Sequence, residues 1–204
     1  MFIYRFIHYE RYKNFLNLKL DKNSVVLDFG ANIGEITQCI QDLYNCKIYC
    51  YEPNNYAFKK LKKKFENNKK IILYNKAVGD KNGRANLYYH KLHDKNPIKF
   101  STGSSLLEQK ENIEKNYFQN TEIISIKDIL NHFDFINLIK IDIEGYEYNI
   151  LPEIIENRNK IDKVFCELHG SQERKNKFLN CKYLEIIKIL NDIDPDKKWF
   201  KYHH

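Results

Sequence analysis

At 204 residues, with 43% hydrophobic and 14% aromatic side chains and a formal net charge of +7, the chain has the material for one folded domain and falls outside the disordered class. The positive balance admits a nucleic acid or an anionic surface as partner, but a basic enzyme carries the same signature, and no nucleic-acid partner is expected. No apolar run approaches the ~20 residues of a membrane span, and no secretory core is present. The five cysteines, Cys39, Cys46, Cys50, Cys166 and Cys181, form no C-x-x-C pair, so reduced thiols and a cytoplasmic setting are expected.

Residues 1–18 place Phe2, Ile3, Phe6, Ile7, Phe15 and Leu16 near helical spacing among Arg5, Arg11 and Lys13. An amphipathic segment of this kind either rests on a membrane surface or packs as an ordinary helix on the sheet edge. The second is expected, with peripheral membrane contact through 1–18 left open and residues 1–20 taken as an N-terminal helical segment. Residues 24–37, SVVLDFGANIGEIT, then read as a buried strand, a glycine turn and a helix start. Glycines let backbone approach a ligand, and a helix N-terminus offers free N–H groups to an anion. The spacing is G-x-x-x-G, which is neither the dinucleotide fingerprint nor a P-loop. A second strand, 47–51, ends in Glu52-Pro53-Asn54, and an acid at that place in a doubly wound sheet holds ribose hydroxyls.

Residues 55–68 read as a helix whose lysines, Lys59, Lys60, Lys62, Lys63 and Lys64, lie mostly opposite Phe58, Leu61 and Phe65. They are expected to be a solvated face. A third strand, 71–74, leads into a turn over 75–80, and 84–90 alternates like an antiparallel strand. The polar stretch 91–120, centred on Ser101 to Leu106, has no sustained period and is expected to be a loop that covers the substrate. Another strand over 121–126 and a short helix over 127–132 follow. The apolar run 136–143 carries Lys140 and Asp142 and passes into a helix that Pro152 interrupts. Residues 164–170 form the next strand, 183–191 a helix, and 199–203 a last strand. The fold expected is a single α/β domain over 1–204. It has a mostly parallel sheet with helices on both faces, a β-hairpin inserted after the third strand and a shortened C-terminal end.

Period-two alternation places Lys140, Asp142 and Glu144 on one strand face, and Glu167 and His169 on one face of the next. A lysine inside an apolar strand is costly unless paired. Lys140 is therefore either half of a structural pair with a carboxylate, or it acts with Asp142 and His169 to orient or deprotonate an acceptor. Asp142, Glu144, Glu167 and His169 are also groups that hold a divalent ion where they converge. No helical H-x-x-x-H or E-x-x-H spacing supports that, and no metal ligand is assigned.

These motifs resemble the FkbM family of class I, Rossmann-like methyltransferases that use S-adenosylmethionine. The resemblance rests on D-x-G-A-N-x-G at Asp28 to Gly34, E-P-N at Glu52 to Asn54, and A-V-G-D at Ala77 to Asp80. It continues through K-I-D-I-E-G-x-E at Lys140 to Glu147 and E-L-H at Glu167 to His169. It implies S-adenosyl-L-methionine as cofactor, S-adenosyl-L-homocysteine as product, and O-methylation of a saccharide or other small natural-product hydroxyl. Gly30, Asn32 and Gly34 would then surround the methionine part, with Asp28 organising the turn, Glu52 on the ribose, Asn75 and Ala77 beside the adenine, and Asp142 at the cofactor. Ser104, Ser105, Glu144 and Glu167 are assigned to the acceptor, and Lys140, Asp142 and His169 to catalysis. The alternatives are a metal-assisted O-methyltransferase using the same cluster, and a basic nucleic-acid-binding module resting on charge alone. The sequence does not set the oligomeric state.

Overall fold

The computed structural model describes residues 12–169 and 177–203. The elements are β1 (Val25–Phe29), α1 (Glu35–Tyr44), β2 (Lys47–Tyr51), α2 (Asn55–Phe65), β3 (Ile71–Tyr74), β4 (Ala77–Gly79) and β5 (Gly83–His90). They continue with β6 (Ile113–Ser125), α3 (Ile126–Asn131), β7 (Leu138–Ile141), α4 (Glu147–Glu156), β8 (Val164–Glu167), α5 (Lys177–Ile193) and β9 (Phe200–His203). Six strands form a sheet in the order β3-β2-β1-β7-β8-β9, with every adjacent pair parallel. The order reverses at β1, and at such a switch point the crevice beyond the strand ends takes a ligand.

Alternation along β1 and β7 divides the core in two. Val26 and Leu138 pack with Ile36 and Ile40 of α1 and Leu61 and Phe65 of α2 on one face. Leu27, Phe29, Ile139 and Ile141 pack with helices α3, α4 and α5 on the other. Both faces are covered, so the central strands read as near-continuous apolar runs. Asn54 caps α2 by accepting from the backbone N–H of Tyr56 at 3.0 Å and Ala57 at 3.2 Å. The lysines of α2 are exposed opposite Ala57, Leu61 and Phe65. Lys64 is exposed as well, but its ammonium donates to the Gly34 carbonyl at 2.9 Å.

A second sheet, β4-β6-β5, stands apart from the first. Its β5–β6 pair is the expected antiparallel hairpin, but two boundaries differ from the sequence reading. Residues 77–79, taken as part of a turn, form β4, parallel to β6. Residues 113–120, taken as loop, belong to β6, so the loop runs over 91–112. Between Glu114 and Asn120 most side chains face solvent, so no buried period marks the strand; it is held by its register with β5. Helix α4 runs through Pro152 rather than breaking there.

Residues 1–11 of the expected N-terminal helix lie outside the described residues. Its described end is a 3-10 turn, Lys13–Phe15, with the Phe15 ring 5.2 Å from Phe165. The C-terminal edge is completed by β9, parallel to β8. Asp194 fixes its entry by accepting from Trp199 N at 2.9 Å and Phe200 N at 2.7 Å. Ile139 is fully buried in the centre of the sheet, so Ile139→Ala should cost about 2–5 kcal/mol in urea denaturation. Replacing the exposed Lys60 and Lys63 by Gln should change stability by less than about 0.5 kcal/mol each.

Candidate functional site

The glycine turn after β1 is shaped by close backbone contact. Gly30 has φ +77°, and a Cβ there would meet the Asp142 carbonyl oxygen at 1.8 Å, so only glycine lets the β1 turn lie against the end of β7. Gly34, φ +78°, faces away from the cavity, where a Cβ would meet Phe65 at 2.5 Å and Leu61 at 2.6 Å. It lets α1 close onto α2. Asn32, φ +50°, donates its backbone N–H to Glu52 Oε2 at 2.8 Å and its amide to Ser101 Oγ at 2.9 Å. Glu52 Oε1 accepts from Asn54 N at 2.7 Å. One carboxylate thus ties the ends of β1 and β2 together. Burial pushes its pKa up to about 7, although the N–H bonds of Asn54 and Asn32 favour the charged form.

Beneath the turn lies a buried cation. Lys140 Nζ donates to the Gly30 carbonyl at 2.7 Å, pairs with Asp28 Oδ1 at 3.2 Å and stands 3.9 Å from Asp142 Oδ2. Asp28 is fully buried and its Oδ2 accepts from Thr37 Oγ1 at 2.7 Å. Burial alone would lower the Lys140 pKa; Asp28 first, then Asp142 and Glu52, hold it above its ordinary value. The group braces the turn from below, as the structural pairing of a buried lysine requires.

At the other end of the cavity β7 stops at Ile141, and the chain turns through Glu144, φ +57°, and Gly145, φ +104°. Strand alternation does not reach Glu144, contrary to the sequence reading; the turn aims it. Glu144 Oε2 lies 3.4 Å from His169 Nε2 and also meets the Lys110 ammonium from the 91–112 loop. His169 Nδ1 is 3.0 Å from Glu147 Oε1, which also accepts from the backbone N–H of Ile143 and Gly145 at 3.1 Å each. Burial would lower the His169 pKa, but Glu147 and then Glu144 push it up to about 10. The two flanking carboxylates thus favour the protonated form of His169 in this arrangement. Burial would raise Glu144, yet His169 and Lys110 hold it below its ordinary range. Burial raises Asp142 to about 6, with Lys140 opposing.

The space between these ends is an open cleft of about 800 Å³, counting the solvent-open part, that joins the glycine turn to the acids beyond β7. Of the assigned residues, Gly30, Asn32, Glu52, Ala77, Ser104, Lys140, Asp142 and Glu144 line it. Asp28, Gly34, Asn75, Ser105, Glu167 and His169 do not. Asn75 is exposed and its amide donates to the Glu52 and Pro53 carbonyls at 2.9 and 3.1 Å, fastening β3 to β2. Ser105 donates to the Glu144 carbonyl at 2.7 Å and shares two backbone hydrogen bonds with Tyr88. The loop is pinned over the cavity by these bonds and by Asn54, whose amide donates to Ser104 Oγ at 3.0 Å. Sequence reasoning missed Lys110, Glu147, Ser101, Leu87 and Tyr146. Of these, Glu147 lay inside the quoted K-I-D-I-E-G-x-E run, and Lys110 gave no signal in a polar loop.

The Glu52 pKa sets a pH dependence. A carboxyl whose folded pKa is raised stabilises the fold in its protonated form, fully below its ordinary 4.5 and progressively less as pH rises through about 7. The stability of the parent chain relative to Glu52→Gln should therefore fall between pH 4.5 and 7, as read by thermal melting. A flat difference would show that the two N–H donors keep Glu52 ionised throughout.

The sequence profile described as the Methyltransferase FkbM domain matches residues 28–195. No curated protein matches. Among solved structures the chain is similar to the plantazolicin methyltransferase BpumL in complex with SAH, at 11% identity and a TM-score of 0.39, over 86% of this chain and 57% of that one. The chain thus spans a little over half the length of that relative. No helix among the described residues is long and apolar enough to cross a membrane. The profile runs from the acid that opens the glycine turn to beyond α5 and takes in both ends of the cavity, and the chain belongs to the FkbM family of S-adenosylmethionine-dependent methyltransferases.

Proposed function

We propose that this chain transfers the methyl group of S-adenosylmethionine to a hydroxyl of a saccharide or similar small natural product. The observation that carries the reading is that the carboxyl groups Asp142 and Glu144 line the same cavity as the glycine turn and Glu52. The residues at the donor end fit the cofactor. Glu52 has carboxylate oxygens for ribose hydroxyls, Ala77 and Val78 offer an apolar edge for the adenine, and α1 begins at Gly34 with no side-chain cap to compete for its N–H groups. At the acceptor end Ser101, Thr102 and Ser104 join the two carboxyl groups, a lining that exchanges hydrogen bonds with a polyol.

Held by Glu52 and the glycine turn, the cofactor would supply an electrophilic methyl on a sulfonium, with the thioether as leaving group and the acceptor hydroxyl oxygen as nucleophile. The chain's part is to align acceptor and donor, exclude water and take one proton. Asp142 receives that proton. Lys140 and His169 already carry theirs, and Asp142 opens on the cavity with a pKa raised towards neutrality by burial. Lys140 positions Asp142 and the Gly30 carbonyl, and His169 positions Glu144.

Incubation with S-adenosylmethionine and a panel of mono- and oligosaccharides should give a methyl ether detectable by mass spectrometry. Asp142→Asn should lower that rate by about 10²–10⁴-fold while S-adenosylhomocysteine affinity, read by calorimetry, stays within a few-fold. A product methylated on nitrogen, or an unchanged rate in Asp142→Asn, would refute the hydroxyl reading or the proton acceptor respectively.

A further inference from the structure

His169 sits in a setting that proton transfer does not explain. Its ring is almost fully buried, and Nε2 faces carboxylates from two different elements, Glu144 Oε2 at 3.4 Å and Glu167 Oε1 at 3.8 Å. One ligand atom each from Asp142, Glu144 and His169 lie within 4.8 Å of one another. These separations are long for hydrogen bonds. Donors that share one ion at about 2.1–2.4 Å stand about 3.0–4.8 Å apart.

The other ring nitrogen supplies an independent observation. Nδ1 is bound to Glu147 Oε1, and that oxygen is itself fixed by the Ile143 and Gly145 N–H groups. Carboxylate–histidine pairing of this kind orients a ligating imidazole so that Nε2 points at a metal. Glu147 is fully buried, and its Oε2 has no hydrogen-bond partner among the described residues. The left-handed φ of Glu144, a conformation costly for a non-glycine residue, aims one of these carboxylates at Nε2.

We infer that Asp142, Glu144, Glu167 and His169 form a binding site for a divalent cation at the acceptor end of the cavity. Three carboxylates and one imidazole make an oxygen-rich donor set that suits Mg²⁺ or Mn²⁺. Lys110, whose ammonium pairs with Glu144, occupies part of that charge in the ion-free chain and is displaced when the ion binds. Coordination uses the Nε2 lone pair, so the proton on Nε2 leaves to solvent. Since Asp142 and Glu144 also line the cavity, the remaining coordination positions face the acceptor. Binding of the ion needs none of the preceding reading; its use, to draw in and acidify an acceptor hydroxyl, rests on the proposed O-methylation.

The test is a Mn²⁺ titration of the chelator-stripped chain, followed by the loss of the free-ion electron paramagnetic resonance signal. One saturable site per chain is expected. Asp142→Asn and His169→Ala should each weaken it at least ten-fold, and Glu147→Gln by about 10–100-fold through the ring orientation. Lys110→Gln should tighten it, because a competing cation is gone; a purely structural role of Lys110 would not. Glu144→Gln, at a residue partly open to solvent, serves if the buried variants fail to melt cooperatively. Absence of saturable binding, or an affinity that Asp142→Asn and Glu144→Gln leave unchanged, overturns the site. Methyl ether formed at full rate in EDTA overturns the ion's use in the transfer and leaves O-methylation standing. Tight Mn²⁺ binding without any methyl ether supports the ion site and overturns O-methylation.

Discussion

The Lys140–Asp28 pair is the constraint on which the rest of the site depends. The two residues are register partners on the adjacent central strands β1 and β7, so their side chains emerge side by side on the α1–α2 face. An ammonium in the middle of a sheet covered on both sides is tolerable only if its hydrogen bonds and charge are met there. Asp28 meets the charge, the Gly30 carbonyl takes a hydrogen bond, and Asp142 stands at the edge of reach. Removing one partner from such a pair costs about 3–5 kcal/mol, because the other is left buried and unpaired. The same bond holds the glycine turn at its height above the sheet. The brace that stabilises the sheet therefore also sets the floor of the cavity.

Above that floor the carboxyl groups are sorted by what surrounds them. Glu52 is buried among backbone N–H groups and stands near neutrality in its pKa. Glu144 has cations on two sides and is held ionised. Asp142 lies between, drawn down by Lys140 and up by burial. Three acids in one cavity can thus serve different ends, because local charge and desolvation separate their protonation. The 91–112 loop completes the arrangement. Asn32 and Asn54 reach it from the glycine turn and the α2 cap, so the motifs at the donor end also hold the cover over the acceptor end.

The second sheet explains how a loop so polar keeps a defined position. Tyr88 and Ser105 exchange backbone hydrogen bonds, and the His90 ring stacks on Phe100 at 5.0 Å. A Cβ on Gly103 would meet His90 at 2.6 Å, so the return of the loop depends on a glycine where it passes the strand. The cover is anchored by short contacts to β5 and needs no apolar core of its own.

The sequence by itself determined the mostly parallel sheet and most of the cavity's polar residues, while the switch point came with the strand order. Short apolar runs such as those of β1 and β7, bounded by turn residues, fit strands buried on both faces, and the acids at their carboxyl ends are legible from position. It also showed that Lys140 needed a partner, since a lone buried ammonium is too costly. Only the tertiary structure decided which carboxylate met it, because register between β1 and β7 is set by pairing across more than a hundred residues of chain. The same holds for Glu147 and Lys110, whose roles arise from contact with His169 and Glu144 and leave no local pattern. Strand β6 was half hidden for a related reason: its first half is mostly exposed and has no apolar period, and only its partner defines it. Gly34 shows the converse. Its place in the motif suggested a ligand, and packing against Phe65 and Leu61 gives it a structural task that the sequence did not show.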